Sequence, residues 1–131
     1  MIVDASAIVA ILRSEAEAET FRRLISRTDP ERLSAASYLE VGIVVDRSGD
    51  PTATRAVDDF LTRAAITIEP VTAAQAHIAR EAYRDYGKGS GHPAGLNFGD
   101  CFAYALARDK GEPMLFKGAD FAKTDIRSAL A

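Results

Sequence analysis

The sequence predicts an α/β fold: a mainly parallel central sheet flanked by helices on both faces, an α/β/α sandwich. Short apolar runs alternate with longer helical segments along most of the chain, which is the order that builds parallel strands with helical crossovers. Two of those runs, near residues 1–3 and 113–116, are followed at their carboxyl ends by Asp4 and Asp120. In open sheets of this kind ligands sit beyond the carboxyl ends of the strands. The length of 131 residues suits one compact domain, taken as 1–131.

Met1 to Val3 reads as a buried strand, and Ala7 to Leu12 opens a buried helix. Glu15 to Ile25 reads as an amphipathic helix, with Phe21, Leu24 and Ile25 on one side, broken by Asp29-Pro30. Arg32 to Ala35 is a strand candidate. Ser37-Tyr38-Leu39-Glu40 matches a helix capping box, with Val41 to Val45 continuing the helix. A turn at Ser48–Pro51 precedes a helix over Thr52–Ala64, and Ala65 to Ile68 fits a strand stopped by Pro70. Thr72 and Gln75 match a second capping box, opening a helix that reaches Tyr86. Gly87 to Gly95 is a glycine-rich loop, read as a flap; it lacks the Gly-Lys-Ser/Thr ending of a Walker A loop. Asn97 can cap a helix through Asp100–Ala107, buried on most sides, and Pro113 to Phe116 is a last strand.

No apolar run approaches the roughly 20 residues that span a bilayer, so no membrane association is expected. The lone Cys101 and the absence of a basic, signal-like N-terminal stretch point to the cytoplasm. The net charge of −3 is unusual for a protein that binds nucleic acid through its own surface, unless cations neutralise some of the acids.

Asp4, Glu40, Asp100 and Asp120 could converge on one edge of the sheet, the first and last at strand ends, the other two in first turns of helices. Each alone has an ordinary explanation as a cap, a helix-dipole partner or a turn residue. Together they form a set that repels itself, and a hard divalent cation such as Mg²⁺ reverses that penalty. A bound cation also eases deprotonation of water for attack on a phosphodiester. His77 and His92 lack metal-ligand spacing and read as surface residues, and Cys101 reads as core. Lys88, Lys117 and Lys123 are possible phosphate contacts, and Ser6 and Ser37 possible caps or orienters of the acids.

With these residues in view, the sequence resembles the PIN-domain family. Val3-Asp4-Ala5-Ser6-Ala7 resembles its opening motif, and Ser37-Tyr38-Leu39-Glu40-Val41 its second. Asn97-Phe98-Gly99-Asp100 running to Ala107 resembles the third, and Leu115 to Phe121, followed by Thr124-Asp125, the fourth. The match is best to VapC toxins of bacterial type II toxin–antitoxin systems. The resemblance implies a Mg²⁺-dependent endoribonuclease, with Mn²⁺ a possible substitute, that cleaves cellular RNA. It also implies a homodimer, and a toxin–antitoxin hetero-oligomer in which a VapB-type antitoxin restrains the enzyme. Carried over, Asp4 and Asp100 are the principal metal ligands and Glu40 and Asp120 complete the cluster, while Asp125 matches a further acid of some members. Ala119 departs from the pattern, standing where many relatives carry Asn or Asp. An apolar groove fed by Ile8, Val9, Ile11 and Leu12 beside the Glu15–Ile25 helix is a candidate to receive the antitoxin, with Phe21 exposed on it; the alternative is that these residues, Ile8 and Leu12 above all, form internal core.

Two other classes compete. A catalytically silent binding module would keep the fold and lack metal binding. A receiver-like signalling domain would need an acidic pair after the first strand, where Ala5 and Ser6 follow Asp4.

Overall fold

A computed structural model describes residues 1–27 and 30–130. Four parallel strands form one sheet in the order β3-β2-β1-β4: β1 is Ile2–Val3, β2 Glu31–Ser34, β3 Ile66–Glu69 and β4 Met114–Leu115. Six α-helices lie among the described residues: α1 (Ala5–Leu12), α2 (Ala18–Arg27), α3 (Ala35–Asp46), α4 (Pro51–Arg63), α5 (Ala73–Tyr86) and α6 (Phe98–Lys110). The α/β class and the parallel sheet follow the sequence expectation.

Alternation along the neighbouring strands β1 and β4 sorts the core into two layers. Val3 and Leu115 point to one face, where they meet Ile8 and Ile11 of α1, Phe21 and Ile25 of α2, and Val41 of α3. Ile2 and Met114 point to the other, against Ala82 of α5 and Ala103 and Leu106 of α6. Helices thus cover both faces, and β1 and β4, apolar on both sides, read as continuous hydrophobic runs. No helix among the described residues is long and apolar enough to cross a membrane.

Local chemistry sets most helix ends. Asp50 caps α4 by accepting from Thr52 N, with Pro51 in the first turn. Thr72 caps α5 by accepting from Gln75 N; the Gln75 side chain does not return to the cap but donates to Asp109 Oδ2 at 3.0 Å, tying α5 to α6. Asn97 and Asp100 form a full capping box on α6, and Gly111 ends that helix in the left-handed region at φ 65°.

Several expectations are corrected. The helix expected over Glu15–Ile25 begins at Ala18, because Ser14 takes φ 53° and the chain turns before re-entering helix. The expected break at Asp29-Pro30 involves Asp29, which lies outside the described residues. Strand β2 is Glu31–Ser34, so Ser34, not Ser37, caps α3 by accepting from Ala36 N. The Ser37–Glu40 capping box therefore does not form: Ser37 is buried inside the first turn with its Oγ unpartnered. The glycine-rich loop is tied down by Lys88 N donating to Leu96 O and Leu96 N to Tyr86 O, each at 2.9 Å. His92 is not a plain surface residue: its ring sits edge-on to Tyr86 and its Nδ1 accepts from Ala94 N.

Candidate active site

The carboxyl edge of the sheet gathers the four acids. Asp4 leaves β1 directly, its own N–H donating to Leu115 O of β4 at 2.9 Å, and it caps α1 by accepting from Ser6 N at 3.0 Å. Capping and site membership are therefore one role, since the cap fixes the carboxylate at the strand end. Ser6 adds a second hold. Its hydroxyl donates to Asp4 Oδ2 at 2.6 Å and accepts from Lys117 N at 3.0 Å, bridging β1 to the chain leaving β4.

Asp100 is the third residue of α6, oriented by the N–H of Asn97, which donates to its Oδ2 at 2.9 Å. Glu40 comes from α3, and the earlier start of that helix, capped at Ser34 rather than Ser37, moves it from the first turn to the second. Asp120 is exposed, just beyond β4 at the start of the 3-10 turn Phe121–Lys123, with no side-chain capping bond to occupy it. Asp125 lies apart. It accepts from the Tyr104 hydroxyl at 2.7 Å and from Arg108 at 2.9 Å, so it ties the C-terminal segment to α6.

Mutual repulsion shows in the protonation of the cluster. Asp4 is 4% exposed, and its burial raises its pKa against the opposing bonds from Ser6 and Ala5 N–H. Glu40 is pushed up to about 7 by burial, then by the charges of Asp4 and Asp100. Asp100 is raised to about 6 by burial, with Asp4 and Asp120 adding to the rise and the Asn97 N–H and Lys88 opposing it. Asp4 and Asp100 act on Glu40, and Asp4 and Asp120 act on Asp100, so the chain of influence joins all four.

Close packing between α3 and α6 holds Glu40 against the other acids. A Cβ at Gly99 would fall 2.8 Å from Glu40 Oε2 and 3.0 Å from Oε1, so a side chain there would displace that carboxylate from its present position. Gly99 is a site residue that reading the sequence missed. The available signal was a glycine inside the first turn of an otherwise good helix, where it costs helix propensity and calls for a packing reason. Ser6 was named in the sequence, but its clasp on Asp4 depends on β4 lying beside β1.

Carboxylates gathered at one edge, with Glu40 and Asp100 raised by burial and then by neighbouring charge, fit a hard divalent cation, which favours their ionised forms. Among the described residues no three His, Cys, Asp or Glu side chains close into a ready coordination group. Mg²⁺ is commonly held by one or two carboxylates and keeps several waters, so the donor chemistry decides the fit.

Comparison with known proteins places this geometry. The family model of the PIN domain matches residues 1–127. The chain is 56% identical over 130 residues to ribonuclease VapC28 of Mycobacterium tuberculosis, covering 99% of this chain and 98% of that one. Its fold matches the crystal structure of the Mycobacterium tuberculosis toxin VapC20, described as cleaving the sarcin–ricin loop, with a TM-score of 0.75 at 21% identity over 95% of each chain. It also matches a toxin–antitoxin complex from Klebsiella pneumoniae, with a TM-score of 0.70 at 15% identity, covering 92% of this chain and 89% of that one.

Proposed function

The chain belongs to the VapC ribonucleases of the PIN-domain family, and from that premise we propose that it is the toxin of a type II toxin–antitoxin pair, a Mg²⁺-dependent endoribonuclease acting in the cytoplasm, with Asp4, Glu40, Asp100 and Asp120 as its catalytic cluster. The observation that carries the site assignment is the self-repelling set of acids at the carboxyl edge of the sheet, with Glu40 raised to about 7 and Asp100 to about 6. Asp4 and Asp100 are the principal ligands of the cation; Glu40 and Asp120 complete the set, and Mn²⁺ can substitute. When bound, the cation activates water and offsets the charge of the phosphodiester. The chain's own residues supply position: Ser6 and the α1 N–H groups fix Asp4, and the capping box fixes Asp100. Glu40, beside Asp4 and Asp100, would help to position the attacking water.

A VapB-type antitoxin is the proposed partner, with a corrected docking surface. Phe21 is 1% exposed, and Ile8 and Ile11 are buried, so these residues are core and cannot line a groove. What remains open is a cleft of about 640 Å³ between α1, α3 and α4, lined by Leu12, Val44, Val45, Ala53 and Ala56 and flanked by Arg13 and Arg47. Its apolar floor and basic rim suit an amphipathic segment carrying acids. The homodimer is assigned to the adjoining surface across Val44 and Arg47, where Leu39, Ile43 and Phe98 of α3 and α6 are exposed next to Glu40.

The test is cleavage of total cellular RNA by antitoxin-free protein, with and without Mg²⁺ or Mn²⁺, beside Asp4→Asn. Asparagine caps helices as well as aspartate, so the variant keeps its fold. Discrete products that need metal and vanish in the variant are expected; equal cleavage by both proteins refutes the assignment.

A further inference from the structure

The acidic edge must receive a polyanion, and the lysines around it are not equivalent. Lys117, which follows β4 and Phe116, is already engaged: its Nζ lies 2.9 Å from Glu15 Oε1 and 3.1 Å from Glu17 Oε2. Lys123 sits in the turn beyond Asp120. Lys88 forms no ion pair among the described residues, is exposed, and acts on Asp100.

Its placement is built into the backbone. Lys88 N donates to Leu96 O at 2.9 Å, and Leu96 is followed at once by Asn97, the cap that orients Asp100. Gly87, just before it, is packed so tightly at the end of α5 that a Cβ would meet Tyr83 O at 2.3 Å. The chain therefore leaves α5 along a fixed path, and Lys88 emerges from a pinned point beside the amino end of α6. A cation beside the acids that forms no ion pair of its own has a use when a negative ligand arrives.

Building on the ribonuclease reading above, we propose that Lys88 binds a backbone phosphate of the RNA strand beside the acidic cluster and so positions the strand for cleavage. Its ammonium acts as a point charge on the sugar–phosphate chain and reads no base, so its contribution is the same for every sequence. It offsets the repulsion that an overall acidic protein presents to RNA, at the one place where the strand must come close.

The experiment measures binding of a short mixed-sequence single-stranded RNA by fluorescence anisotropy. It uses the Asp4→Asn background, which leaves the RNA intact, over a range of salt concentrations. Lys88→Ala is expected to weaken binding about tenfold, and to reduce the slope of log Kd against log salt by about 0.7, the loss of one phosphate contact on a single strand. Lys88→Arg restores most of both, and Arg55→Ala, a charge removed from the far surface of α4, changes neither. Unchanged affinity and slope in Lys88→Ala, with the parent binding normally, overturn the role of Lys88 and leave the ribonuclease reading standing. Weakening with an unchanged salt slope, or not restored by arginine, also overturns it, since a structural role would look that way. A parent that does not bind RNA, with a wild-type protein that cuts none, overturns both.

Discussion

Two groups of acids at the sheet show opposite treatment of the same side-chain chemistry. Where β1 and β4 begin, Glu112 accepts from the Met1 amino group at 2.7 Å and from Arg32 at 3.0 Å, and Arg32 also reaches Glu69 at 2.7 Å. Burial there pushes Glu112 up, but the two cations more than reverse it and its pKa falls below the usual carboxylate value. Beyond the carboxyl ends of the same strands, burial pushes Glu40 and Asp100 up, and neighbouring carboxylates push them further. The first group has its counter-charges supplied by the chain and serves the fold. The second forms no ion pair among the described residues, with only the charge of Lys88 opposing its own, and such a set suits a positive charge brought from outside.

The largest expected effect comes from breaking the second group. Asp100→Asn should lower metal-dependent RNA cleavage at least about a hundredfold, since even outer contacts to metal ligands are worth 10- to 100-fold. The same change should leave the metal-free protein as stable as before or more so, because it removes repulsion. Activity assays beside thermal melts in a chelator read both.

A smaller effect follows from proton linkage. Glu40 and Asp100 hold protons in the folded protein at pH values where the unfolded chain has released them. Between about 4.5 and 7 the folded state therefore binds more protons, and these groups make stability fall as pH rises. The metal-free protein should lose melting temperature across that window, and Glu40→Gln should flatten the loss. Mg²⁺ should raise the melting temperature more at pH 8 than at pH 5.5, because protons compete with it at the lower pH. An equal rise at both would separate the acids from the metal.

The smallest effect is expected in the first group. Arg32 is partly solvated, so Arg32→Leu should lower the melting temperature modestly and leave cleavage per folded molecule unchanged. A large loss of activity without unfolding would mean that the two groups are not separate in function.

Much of this was legible in the sequence because it is local. Apolar runs ending in Asp4 and preceding Asp120 announce strand ends, and Asn97 with Asp100 announces a cap, from neighbours a few residues away. What failed depended on contacts distant in sequence. Ser34 and Ser37 are both plausible caps; the choice falls to Ser34 because β2 pairs with β3 as far as Ser34 opposite Glu69, and the helix can start only there. The period of α2 identified an apolar stripe containing Phe21, but a stripe facing the core and one lining a groove have the same period, and here Phe21 is core. Glycines made 87–95 look loose, while the bonds that fix it run to Tyr86 and Leu96. Gly99 gained meaning only once α3 packed on α6 and brought Glu40 to it.

The measurement that bears most directly on the acidic edge is calorimetric titration of Mn²⁺ into the chelator-treated protein and its Asp4→Asn variant at pH 6.5, repeated in two buffers of different ionisation enthalpy. Binding by the wild-type protein with release of protons, lost or sharply weakened in Asp4→Asn, is the predicted result. No binding, or binding of equal strength in both proteins, would contradict the assignment of this cluster as the cation site.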